Sequence, residues 1–145
     1  MSKKYQSRVV IILTDEFAKA VNKDGLTYSN APELNALKEA LAEHKGELHN
    51  AMRDFEYYVQ SSEAHGVSDS PIVNWTRDAT QNTHAQARYG TMFVVGIAGK
   101  KVFDNDTANK LAKTFEKLSG TDAVKGVKVD SMDPAQNPPI PKKYI

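Results

Sequence analysis

Arg8-Val9-Val10-Ile11-Ile12-Leu13 is the stretch on which the fold turns. It is rich in β-branched residues and apolar on both faces of an extended chain. That pattern suits a strand in the middle of a sheet that is covered, at least in part, on both sides. Just beyond it, Thr14 and Asp15 can cap a short helical turn through Val21, and Asn22-Lys23-Asp24-Gly25 breaks that turn. On the amino-terminal side the apolar run from Val9 to Leu13 is too short for a secretory leader or a membrane span, so a cytoplasmic location and no membrane partner are expected.

The next pattern is helical. Asn30-Ala31-Pro32-Glu33 joins a capping residue, a first-turn proline and a glutamate, the signature of a helix start. Leu34, Leu37, Leu41, Leu48, Met52, Phe55 and Val59 then recur at steps of three, four and seven, which places them on one side of a helix. Gly46 bends or splits this segment, so residues 31–61 read equally as one long helix or two consecutive ones. Residues 66–71 read as a polar linker, residues 72–76 as a short strand with Val73 and Trp75 on one face, and residues 79–88 as an unpatterned polar connection. Thr91 to Ile97 is a further strand. Asp104-Asn105-Asp106 caps a helix with the stripe Ala108, Leu111, Phe115 and Leu118, which Gly120 stops. Val127 and Val129 alternate with polar residues in a last strand over residues 126–130. Residues 133–145 hold four of the six prolines and form an extended tail that cannot join a central strand.

The resulting order is strand, helix, strand, strand, helix, strand. It resembles the split βαββαβ arrangement of ferredoxin-like domains: an antiparallel four-stranded sheet with two main helices on one face, the first of them long. Residues 1–132 form a single α+β domain under this reading, followed by the proline-rich tail. The first strand is too apolar for a bare sheet face, so another subunit or the extra segments should cover it, and a homo-oligomer is expected.

Composition narrows the chemistry. At 145 residues the chain can bury a real core unaided, and 40% hydrophobic with 26% charged residues is ordinary for a globular protein. Nineteen basic residues against eighteen acidic ones give a net charge of +1, which offers no bulk attraction to nucleic acid. With no cysteine in the chain, thiolate nucleophiles, disulfides and cysteine-ligated metals are excluded. The four histidines show no pair at the three- or four-residue spacing of a helical zinc site, and His44 and His49 are five apart, so no metal is expected. No phosphate loop or dinucleotide fingerprint occurs, and no cofactor is expected.

One segment concentrates ligand-binding chemistry. Trp75, Arg77, Asp78, Gln86, Arg88 and Tyr89 lie in or beside the polar connection, with Gln81, Asn82 and His84. They include two of the four arginines and the single tryptophan. An aromatic face for stacking, guanidinium groups for an anion and amides for hydrogen bonding together suit a small polar or nucleotide-like ligand. His84 and Tyr58 are the candidate proton-transfer residues, and Glu63, just beyond the long helix, is a further candidate for binding. The expected function is therefore an oligomeric small-molecule-binding domain with its site at a subunit interface, aided by residues 14–17 of a neighbouring chain. As an enzyme it would be a metal-free lyase, isomerase or hydrolase. The alternative is a non-catalytic assembly subunit that uses the long helix and the proline-rich tail.

Overall fold

The β-branched run at the start forms the centre of the sheet, as its two apolar faces demand. A computed structural model describes residues 6–26, 31–66 and 70–131. Strand β1 (Ser7–Leu13) pairs antiparallel with β3 (Met92–Ile97) on one side and with β4 (Val124–Ser131) on the other. Strand β2 (Gly46–Asn50) pairs antiparallel with β3, so the strand order is β2-β3-β1-β4. The protein is thus α+β, with one four-stranded antiparallel sheet and several helices. The proline-rich tail lies outside the described residues.

Alternate residues of β1 serve two clusters, which is the period-two geometry of a strand. Val9, Ile11 and Leu13 enter the main core with Phe93 and Val95 of β3. Against them pack Phe17, Ala18 and Val21 of α1 (Asp15–Asp24), Leu37 and Leu41 of α2 (Asn35–Glu43), and the buried stripe of α6 (Asn105–Glu116). That stripe, Ala108, Leu111, Ala112 and Phe115, follows the helical spacing of the sequence. Val10 instead joins Met92 and Val94 on the opposite face, where Ile12, Ala51 and Tyr89 pack against them. The extra segments therefore supply cover for the second face, within one chain.

Four expectations change. Residues 31–61 are not continuous helix. A 3-10 turn at Pro32–Leu34 leads into α2, the chain crosses into β2, and α3 (Ala51–Ala64) follows directly. Lys45 takes a positive φ of 53° at the break, next to Gly46. The apolar spacing continues through the interruption only by coincidence of step. Leu34, Leu37 and Leu41 belong to the main core, whereas Met52 and Val59 are buried on α3.

The strand expected at residues 72–76 is also helical, as part of α4 (Pro71–Gln81). Ser70 caps it by accepting from the Val73 amide at 3.4 Å, and Pro71 stands in the first turn, where its missing N–H is no loss. The buried residues Val73, Thr76 and Ala79 recur every third position, a helical step and not an alternating one. The polar connection over residues 79–88 likewise ends α4 and forms α5 (Thr83–Tyr89), with the Asn82 side chain accepting from the Ala85 amide at 3.0 Å. The arrangement of two helices on one face gives way to α1, α2 and α6 in the main core, with α3 to α5 forming a separate group.

The end of β2 is fastened to this group by Asn50. Its side chain accepts from the Arg53 amide, capping α3 at 3.1 Å, and its Nδ2 donates to the Gly90 carbonyl at 2.9 Å. Asn22 donates to the same carbonyl at 3.0 Å. Asn50 is only 7% exposed, so Asn50→Ala takes the cap from the Arg53 amide and leaves Asn22 as the remaining side-chain donor to the Gly90 carbonyl. We expect a loss of about 2 kcal/mol in urea unfolding. A loss below the scatter of such measurements would contradict this junction.

At the start of α6, Asp104 accepts from the Thr107 amide at 2.9 Å and from the Thr107 hydroxyl at 2.8 Å. These bonds, the backbone one foremost, hold its carboxyl below the usual aspartate range. Because the folded pKa is lowered, the contribution is present above the ordinary aspartate pKa and is lost as pH falls through the lowered one. Asp104→Asn, which keeps an acceptor but cannot titrate, should therefore flatten the acid side of a melting-temperature profile relative to the wild type. Parallel profiles would contradict the assignment. Among the described residues, no helix is long and apolar enough to cross a membrane.

Candidate functional site

The helical hairpin that replaces the expected strand and loop also creates the site. On α4, Trp75 and Asp78 are three residues apart and therefore share a face, and Ala79 lies beside them. The Asn82 cap turns the chain into α5, which brings His84, Ala85, Arg88 and Tyr89 opposite. These side chains line an open cleft of about 320 Å³. Alanines at positions 79 and 85 leave the room that larger residues would fill.

The aromatic wall has its own support. Phe55 of α3 meets Trp75 with ring centroids 5.8 Å apart and an interplanar angle of 67°. It meets Tyr89 at 4.9 Å and 64°, so both edge-to-face contacts converge on one phenylalanine. The Arg88 guanidinium lies 5.5 Å from the centroid of the Tyr89 ring, a cation–π distance. Trp75 and Tyr89 are half-buried, whereas Asp78, His84 and Arg88 are exposed on the rim. The cleft thus offers a rigid apolar wall, two basic side chains and one carboxylate within a single concavity. Such an arrangement can hold a flat ring by its face and edge and an acidic group by the guanidinium.

Of the predicted site residues, Trp75, Asp78, His84, Arg88 and Tyr89 come together here. The others lie outside the cleft. Arg77 forms an ion pair with Glu63, with Nη2 3.1 Å from the carboxylate, and its Nη1 donates to Asn74 at 2.9 Å. Arg77 and Glu63 therefore tie α4 to the end of α3. Gln86 donates to the Thr80 carbonyl at 2.7 Å, bracing the turn between α4 and α5. Tyr58 is on α3 and does not line the cleft, so it and His84 are not brought together as a pair. In residues 14–17, the Thr14 hydroxyl donates to the Asp122 carbonyl and Phe17 is a core residue.

Phe55 was readable only as one more apolar residue of a helical stripe, and nothing in its spacing singles it out as the support of the aromatic wall. Asn82 as a cap was accessible, since an asparagine before Thr83 is a helix-start signal. The chain matches no family model, no curated protein and no solved structure.

Proposed function

We propose that this protein binds a small, flat, anionic ligand of nucleotide-like chemistry in the cleft between α4 and α5. The observation that carries the reading is the convergence of Trp75, Tyr89, Arg88, His84 and Asp78 on one cavity of about 320 Å³. That volume is at the lower end of the range for small-ligand sites, which are roughly 300–1,000 Å³. A planar ring would lie against Trp75 and Tyr89, its acidic group would meet Arg88 and His84, and a ring or exocyclic N–H would donate to Asp78. The cleft is open to solvent, so enclosure of the ligand falls to a neighbouring subunit of a homo-oligomer. Turnover on such a ligand would fall to His84, the one imidazole in the cleft, without Tyr58.

The architecture proposed with it is a ferredoxin-like sheet carrying a helical insertion. In support, β1 and β2 both run antiparallel to β3 and flank it, and β4 lies on the far side of β1. Helices α3 to α5 then occupy the connection between the second and third strands.

A thermal-shift screen over nucleotides, aromatic carboxylates and amino acids tests the binding reading. A ligand at about 100 times its dissociation constant adds about 2.7 kcal/mol to the folded state, which raises the melting temperature visibly. The expected hit is planar and anionic. A screen with no hit, or hits confined to aliphatic or cationic compounds, would contradict the proposal.

A second reading, a non-catalytic assembly subunit, draws on the exposed apolar side chains of α3 and α4. Tyr57 is 73% exposed, Ile72 49% and Tyr58 40%. It predicts that Tyr57→Ser with Ile72→Ser disrupts an oligomer and leaves ligand binding unchanged.

A further inference from the structure

We propose that two copies of this chain join edge to edge through β4, in the antiparallel register that places Val129 on the twofold axis. The inference stands on the sheet edge and is independent of the cleft. Strand β4 runs for eight residues, Val124–Ser131, and among the described residues it pairs with β1 alone. Among the described residues, no hydrogen bond satisfies the outward backbone groups of residues 125–130. An edge of this length is a template for another strand, unless its side chains forbid pairing.

The side chains forbid most registers and favour one. On the core side, Val127 and Val129 are only half-buried, although both pack on the main cluster, so apolar surface remains at the edge. On the other side, Lys128 and Asp130 stand two residues apart with Lys128 Nζ 3.4 Å from the Asp130 carboxylate. On the same face, Arg8 of β1 stands in register with Asp130, and its Nε is buried with no hydrogen-bond partner.

A twofold axis perpendicular to the sheet keeps each side chain on its own face, so one residue must stand opposite its own copy. With Lys128 on the axis, two lysines oppose each other, which is destabilising. With Val127 on the axis, Lys128 faces Gly126 and gains nothing. With Val129 on the axis, Lys128 of each copy faces Asp130 of the other, Val129 meets Val129, and Val127 meets Ser131. The occupant of the edge is therefore a second copy of the chain, held by reciprocal lysine–aspartate pairs across a valine contact.

Sedimentation velocity on the full chain, with two sets of variants, tests the register. The wild type should be a dimer. Lys128→Asp sets like charges against each other at two symmetry-related places and should raise the dimer dissociation constant about tenfold or more. Combining Lys128→Asp with Asp130→Lys restores opposite charges and should recover the dimer.

The chain has no cysteine, so single cysteines report register directly. Directly opposed residues of antiparallel strands have Cα atoms about 4.5–5.5 Å apart, within disulfide range. Val129→Cys should give a disulfide-linked dimer on mild oxidation, and Val127→Cys and Lys128→Cys should not. Circular dichroism confirms that each variant remains folded. A monomeric wild type, charge swaps without effect, or cross-linking at 127 or 128 in preference to 129 would overturn the proposal.

Discussion

Replacing Phe115 by alanine is expected to lower the stability of the folded chain by roughly 3–5 kcal/mol. The ring is fully buried on α6, in the cluster that includes the β1 residues Val9, Ile11 and Leu13. The imidazole of His44 neighbours it, with ring centroids 6.2 Å apart, which marks where the end of α2 meets α6. Truncation loses the transfer free energy of the ring and leaves a cavity that strands fixed by their ladders cannot collapse to fill. Set against a total stability of about 5–15 kcal/mol for an ordinary domain, such a loss brings the chain close to unfolding at moderate temperature. Equilibrium unfolding in urea measures it, with Phe115→Leu as the milder companion. A loss below about 1 kcal/mol would mean that α6 does not pack on the sheet as described.

The second large effect concerns the cleft. Arg88→Ala should weaken the binding of a planar anionic ligand about ten- to a hundredfold, the usual consequence of losing a charge-assisted hydrogen bond. The folded state should change little, because Arg88 is exposed and its described contact is with the ring of its neighbour Tyr89. Arg77→Ala provides the contrast. Arg77 is committed to Glu63 and Asn74, so its loss loosens the union of α3 and α4 and leaves the anion contact intact. Isothermal titration with both variants separates the two roles. Equal weakening by both would indicate that the anion is held elsewhere.

These two predictions rest on parts of the chain that differ in how far their patterns can be read. The helix around Phe115 was legible because cap and stripe agree: Asp104, then Ala108, Leu111 and Phe115; it ends at Glu116, short of Leu118 and of the expected stop at Gly120. Strands β1, β3 and β4 were legible for a similar reason, being β-branched or alternating runs bounded by turn residues. The middle of the chain misleads because two signals compete. Leucines at helical spacing run into Gly46-Glu47-Leu48-His49-Asn50, and only pairing with β3 makes that short segment a strand. Such tertiary selection leaves little trace in a five-residue window.

The reverse error at residues 72–76 has a local cure. Ser70-Pro71 is a helix-start signal that outweighs the β-branched pair Ile72 and Val73. The grouping of Trp75, Asp78, His84, Arg88 and Tyr89 rests on residue type and not on secondary structure, and these five line one cleft. What composition did not reveal was which polar groups are spent on structure. Gln86, Arg77 and Glu63 have the right chemistry for a ligand, yet their partners are the fold itself.

The central claim, a planar anion held against Trp75 beside Arg88, has a built-in reporter. Trp75 is the single tryptophan of the chain and it lines the cleft, so its fluorescence reports on that cleft alone. Titrating the wild type with a panel of nucleoside monophosphates and aromatic carboxylates should give saturable quenching with at least one member. Arg88→Ala, which keeps the fluorophore, should shift that curve ten- to a hundredfold to weaker binding, roughly the value of the missing charge-assisted hydrogen bond. No saturable change with any member of the panel, or curves that coincide for the wild type and Arg88→Ala, would contradict the account.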